Sequence, residues 1–163
     1  MDHRYTHWLS VTLLFLISFF NSSFAYSADI PADSPVGYWK TIDDITGKPK
    51  SIIQIWKTKD NVLMGKVVKI FSKDGSDTQN KLCSSCRGDK HNQPIVGMVI
   101  LTGLTVKEHQ WDNGRIINPE NGKTYRCAIR AVENGEKLNV RGYMGLPLLG
   151  RSQIWERVDL MSG

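Results

Sequence analysis

The sequence is short of cysteine, proline and histidine, with three Cys, six Pro and four His in 163 residues. His3 and His7 precede an N-terminal apolar run, so His91 and His109 are the imidazoles of the main body. So little imidazole argues against a multi-histidine metal centre, and neither His91 nor His109 stands in an HExxH or nucleophile-elbow context. After Phe20 no stretch approaches the roughly 18 apolar residues of a membrane-spanning helix. No block of like charge, low-complexity tract or repeat interrupts the chain, and no window holds a helical period beyond two turns. Hydrophobic content of 40% and charged content of 23% exclude a disordered, collagen-like or coiled-coil chain.

What is there begins with an export pattern. Met1–Trp8 carries Arg4, Leu9–Phe20 is apolar without a charge, and Ser23-Phe24-Ala25 puts small residues at both positions a signal peptidase reads. This layout predicts a cleaved secretory signal over residues 1–25, with cleavage after Ala28 as the alternative. The apolar run would rise only about 18 Å as a helix, short of the roughly 30 Å hydrocarbon core. No cysteine lies near the cleavage point to take a lipid, so a soluble protein outside the cytoplasm is expected. Residues 26–36, with the polar stretch Asp29–Pro35, read as a flexible lead-in. Residues 37–158 then form one domain. The net charge is +5, but Lys and Arg are scattered singly without an aromatic stripe, so nucleic acid is not an expected partner.

The domain is a series of short runs rich in β-formers. Strands are predicted at Gly37–Ile42, Lys50–Thr58, Val62–Phe71, Ile95–Leu104, Gly114–Asn118, Lys123–Val132, Lys137–Met144 and Arg151–Val158. Asn121-Gly122 and Asn134-Gly135 tolerate positive φ and are hairpin chemistry. The sixth run alternates clearly, with Tyr125, Cys127, Ile129 and Ala131 against Thr124, Arg126, Ala128 and Arg130. Eight strands joined by short hairpins resolve their exposed edges most simply by closing. The expected fold is therefore all-β, an up-and-down antiparallel barrel; an open sandwich is the competitor.

Gly37-Tyr38-Trp39 on the first strand and Trp155-Glu156-Arg157 on the last resemble the lipocalin-like barrels. That resemblance implies that Trp39 closes the barrel floor and that Arg157 lies across its ring. A second resemblance runs from Gly37 to Val158. Its blocks include Gly37–Asp44, Thr46–Ser51, Cys83-Ser84-Ser85-Cys86-Arg87-Gly88-Asp89, Trp111–Ile116, Asn118–Tyr125, Arg141–Gly145 and Gly150–Arg157. In that order they resemble the bacterial family of exported proteins called domain of unknown function 2147. The resemblance implies a lipocalin-like barrel, periplasmic or secreted, with no established activity. Asn118 stands where many relatives have Asp, and either residue serves at a turn start.

Cys83-x-x-Cys86 is the sharpest local motif. A redox pair would want a helix N-terminus to lower a thiol pKa, and no helical pattern follows. A zinc site would find His91 nearby but needs a further ligand, from His109 or Cys127. In an oxidising compartment the favoured reading is a small disulfide that staples the 72–94 loop, leaving Cys127 as a buried free thiol. No metal and no cofactor are expected. The carboxylates Asp43, Asp44, Asp112 and Glu120 fall in turn sequences, and no catalytic constellation stands out, so the chain is not read as an enzyme. Arg87-Gly88-Asp89 is an adhesion tripeptide on some loop tips but recurs easily by chance. Trp56, Trp111, Tyr125, Arg141 and Tyr143 fall in or beside strands and are the candidate ligand-binding residues, with Gln153 as a further polar group. The phase of the second strand stays open, because Ile52, Ile53, Ile55 and Trp56 are apolar on both faces. The expected function is binding of a small apolar or amphipathic molecule without catalysis. The alternative is a solid barrel that contacts envelope components through its 72–94 loop.

Overall fold

The computed structural model describes residues 33–72 and 80–160; the expected signal and nearly all of the lead-in lie outside them. Eight strands follow in order: β1 (Gly37–Ile42), β2 (Pro49–Lys57), β3 (Leu63–Ile70), β4 (Val99–Lys107), β5 (Gln110–Asn118), β6 (Lys123–Val132), β7 (Lys137–Tyr143) and β8 (Arg151–Val158). Each pairs antiparallel with its neighbour in sequence, and β8 returns to pair with β1. The result is a closed up-and-down barrel without a free sheet edge.

The turns explain the order. Gly122 (φ 67°) closes the β5–β6 hairpin, and Asn134 (φ 53°) with Gly135 (φ 86°) closes β6–β7. Between β1 and β2, Asp43 Oδ1 accepts the Thr46 amide at 2.8 Å and the Thr46 hydroxyl at 2.9 Å. The Thr46 amide is the main reason the Asp43 carboxyl titrates below its ordinary value.

β2, β3 and β7 differ from the predicted runs by one residue at one or both ends, and two strands depart further. β4 starts at Val99, because Ile95–Met98 belongs to the long β3–β4 connection and bonds sideways. Gly97 (φ 90°) donates to the Val67 carbonyl at 2.7 Å, while Val67 donates to Met98. β5 starts at Gln110, four residues early, since Glu108 (φ 55°) makes a tight turn and Asn113 (φ 62°) marks a shift in register within the strand.

Seven connections and two chain ends distribute between two poles. The β2–β3, β4–β5 and β6–β7 turns share one pole with the segments before β1 and after β8. That pole is packed solid by Trp39, Leu63, Leu104, Ile129, Leu138 and Trp155, all buried. The Arg157 guanidinium carbon lies 4.3 Å from the Trp39 ring centroid, a cation held over an indole face. Its nitrogens donate to the carbonyls of Gly135 (2.6 Å), Val36 (3.0 Å) and Ser34 (2.7 Å). The Trp39 Nε1 donates to Pro35 at 2.8 Å. Gly37 admits this arrangement: its φ is 137°, and a Cβ there would sit 2.6 Å from Arg157 Nη1.

Candidate functional site: a cavity at the open pole

The opposite pole, where β1–β2, β3–β4, β5–β6 and β7–β8 connect, is hollow. A cavity of about 540 Å³ has walls of Val67, Ile70, Phe71, Ile95 and Ile100, with Asp43, Lys48, Lys50, Lys81 and Glu120 around it. An adjoining space of about 330 Å³ reaches toward the barrel axis between Thr41, Ser51, Ile53, Tyr125, Val140, Gln153 and Trp155. The two share Lys50, Ser51, Ile100, Asn118 and Pro119. Both exceed the roughly 300 Å³ at the lower end of small-molecule sites.

Strand alternation builds this interior. On β2, Ser51, Ile53 and Ile55 point inward, which settles the phase that the sequence leaves open. On β1, Thr41 follows Trp39 inward, and its hydroxyl bonds Ser51 Oγ at 2.8 Å. On β8, Arg151, Gln153 and Trp155 share the inner side. Asp44 reaches over from the β1–β2 connection, where its Oδ2 accepts from Gln153 Nε2 at 2.6 Å and from Arg151. Lys50 Nζ lies 2.7 Å from Glu120 Oε2 and 4.0 Å from Asp43 Oδ2, so the rim already balances one ammonium with carboxylates. The arrangement offers apolar walls, a few neutral polar groups and a charged mouth.

Of the residues singled out from sequence, Tyr125 lines the inner space, its hydroxyl 3.2 Å from Asn121 Nδ2. Trp111 pairs with Ile129 and packs on the core near the solid pole. Trp56, Arg141 and Tyr143 fall on the outer wall, since Ile55, Val140 and Gly142 beside them face inward. Arg141 donates from Nη2 to the Pro147 carbonyl at 2.7 Å and from Nη1 to Ser152 Oγ at 3.1 Å, so it fastens the β7–β8 connection. Tyr143 is buried beside that connection, and burial is the chief cause of its raised pKa. The structure therefore does not gather these five into one site. Thr41, Ser51, Ile100, Asn118 and Pro119 are cavity residues that sequence reasoning passes over; period-two phase running from Trp39 would have found Thr41, and from Gln153 would have excluded Ser152.

Cys83 and Cys86 form a disulfide, with Cα atoms 5.3 Å apart. With both sulfurs joined, neither is a free thiolate for zinc, and no cluster of metal-binding side chains occurs among the described residues. The ring is pressed onto the β5–β6 turn: Cys83 Sγ lies 3.2 Å from the Pro119 carbonyl oxygen, and Ser85 covers Gly122. Pro119 belongs to the cavity wall, so the disulfide holds the long connection against the mouth. Cys127 faces inward on β6, fully buried and unpaired; burial pushes its thiol up to about 12, with the Asp112 charge second.

No helix among the described residues is long and apolar enough to cross a membrane. The barrel is similar to a solved Helicobacter pylori protein described as belonging to the lipocalin family. The TM-score is 0.66 and the identity 21%, over 78% of this chain and 85% of that one. At that identity the likeness establishes the fold. No curated protein matches the chain. The family model described as an uncharacterized protein conserved in bacteria matches residues 37–157, and the chain belongs to that family, DUF2147.

Proposed function

We propose that the protein is an exported, soluble carrier that takes a small amphipathic molecule into the open pole of the barrel, apolar part first, with no catalytic step. The observation that carries this reading is the cavity of about 540 Å³, whose inner wall is Val67, Ile70, Ile95 and Ile100 and whose rim carries Lys48, Lys50 and Lys81. Each methylene buried contributes about 0.8 kcal/mol, so a chain of about eight carbons reaches micromolar affinity after the losses of association. An anionic head group would meet Lys50, for which Glu120 and Asp43 would compete. The packed pole around Trp39 is what a solid-barrel interaction protein would show throughout; the hollow pole favours the carrier.

The test is to purify the protein gently, extract it with organic solvent and identify co-purifying molecules by mass spectrometry. Titration with fatty acids and an apolar dye follows, read by indole emission because Trp155 lines the inner space. Ile100→Trp should fill the shared part of the cavities and abolish saturable binding while the unfolding midpoint changes little. The absence of both an extracted molecule and saturable binding overturns the carrier. Export is tested separately, by N-terminal sequencing of protein from the periplasm, where the chain should begin at Tyr26 or, with the alternative cleavage, at Asp29.

A further inference from the structure

The β7–β8 connection reads Met144-Gly145-Leu146-Pro147-Leu148-Leu149-Gly150 and contains no charged residue. A connection at a hollow pole would ordinarily be polar, yet Met144, Leu146, Leu148 and Leu149 all stand in solvent, Leu148 at 86% exposure. The Asp44–Arg151 ion pair joins the β1–β2 connection to the start of β8, and the β1–β2 connection displays Ile45 at 93% exposure. The leucines are presented on a built scaffold. Pro147–Leu149 forms a single 3₁₀ turn, and the Arg141 guanidinium holds the carbonyls of Pro147 and Leu148.

The neighbouring outer wall is basic. Arg115 on β5 and Arg126 on β6 are directly opposite in register, both exposed, and neither forms an ion pair among the described residues. Like charges placed opposite one another repel, so this pair is better matched to an anionic surface than to water. At the solid pole Lys57, Lys59, Lys107 and Lys137 balance Asp60, Glu108, Glu133 and Glu136, whereas at the hollow pole Lys48, Lys50, Lys81, Arg87, Lys90, Lys123 and Arg151 outnumber Asp43, Asp44, Asp89 and Glu120. This polarity would turn the hollow pole toward negative charge.

We propose that the open pole docks on an anionic lipid bilayer, with the Met144–Leu149 connection entering the interface and Arg115 and Arg126 facing the head groups. A protruding tip of four apolar side chains suits shallow insertion beside basic residues. It is small beside the roughly 800 Å² that each partner contributes to a stable protein interface. Docked so, the cavity mouth faces the lipid, and an amphipathic molecule could pass between bilayer and barrel with little exposure to water. Docking needs no occupant in the cavity, so it stands or falls apart from the carrier reading.

The test places a polarity-sensitive dye on the purified protein at Leu148→Cys or, as the control at the solid pole, at Lys59→Cys. Cys127 is buried and stays unlabelled. Vesicles of phosphatidylcholine, with and without phosphatidylglycerol, are then added. The dye at 148 should shift to the blue only with phosphatidylglycerol, and salt should weaken the shift, while the dye at 59 stays unchanged. Arg115→Glu with Arg126→Glu should lower the apparent partition by about tenfold or more. No shift at 148, or equal shifts at 148 and 59, overturns the proposal. A shift at 148 that needs no lipid and grows with protein concentration also overturns it and assigns the tip to a second copy of the chain.

Discussion

Replacing Arg157 by Ala removes two kinds of contact at once, three hydrogen bonds and a cation–π contact. The guanidinium donates to carbonyls at 2.6, 3.0 and 2.7 Å and covers the Trp39 ring at 4.3 Å. Hydrogen bonds from a charged donor contribute about 1.5–3 kcal/mol each, and a cation–π contact about 0.5–2 kcal/mol. Those contributions do not simply add. Arg157 is only partly buried, so water reaches the freed carbonyls of Ser34, Val36 and Gly135 and recovers most of their bonding. The expected net loss is about 2–4 kcal/mol. Urea unfolding followed by indole emission would show it as a midpoint lowered by about 1–2 M at an unchanged slope. Arg157→Lys keeps the charge but has one nitrogen for three divergent acceptors, and should recover less than half of the loss. If Arg157→Ala changes stability by less than about 0.5 kcal/mol, or if Lys restores it fully, the guanidinium is not what seals the solid pole.

Gly122→Ala should be worse than its small size suggests. Gly122 has φ 67°, and a new Cβ would collide with the Ser85 carbonyl, so the Cys83–Cys86 ring must lift from the turn; about 3 kcal/mol of destabilisation and faster proteolysis between residues 80 and 94 are expected, and wild-type resistance would refute the clamp. Cys127 gives an alkaline prediction. Its thiol titrates at 9.0 unfolded and about 12 folded, so the folded chain keeps a proton that the unfolded chain loses, and the contribution, complete below pH 9, declines as pH rises toward 12. The decline should be about 1.4 kcal/mol per pH unit in that window, and Cys127→Ala should remove that component of the slope. The same free thiol should be the one counted after denaturation without reductant; three thiols would contradict the disulfide.

Hairpin chemistry made much of the barrel readable. The bounds of β6 and β8 agree with the runs read from sequence, because Gly122 and the Asn134-Gly135 turn fix β6 and the Pro147–Gly150 segment fixes the start of β8. β4 was harder to read because Ile95 and Met98 are buried like strand residues, while the Ile95 amide bonds across the connection to Lys81 and the Met98 amide closes a local turn on Ile95. Apolar composition reports burial, and in this connection burial and strand pairing part company. The site was less legible for a different reason: aromatics mark both walls of a small barrel. The alternation of Leu138 and Val140 against Asn139 and Arg141 already places Arg141 outside, yet its chemistry draws attention to it as a ligand partner. Cavity size depends on which interior positions are left unfilled, and that is set by the packing of strands far apart in sequence.

The barrel has seven connections, and the eighth position, between β8 and β1, is left open by the segments that lead into β1 and out of β8. Tyr38 pairs with Val158 and Trp39 with Arg157, so these segments meet at the solid pole. A few linking residues there would complete the ring, and new termini could be cut at the Glu108-His109 turn of the same pole. Such a permuted chain would keep the four connections that frame the mouth. The segments that lead into β1 and out of β8 thus leave the barrel from the pole opposite the mouth, so a link made there leaves the cavity rim untouched.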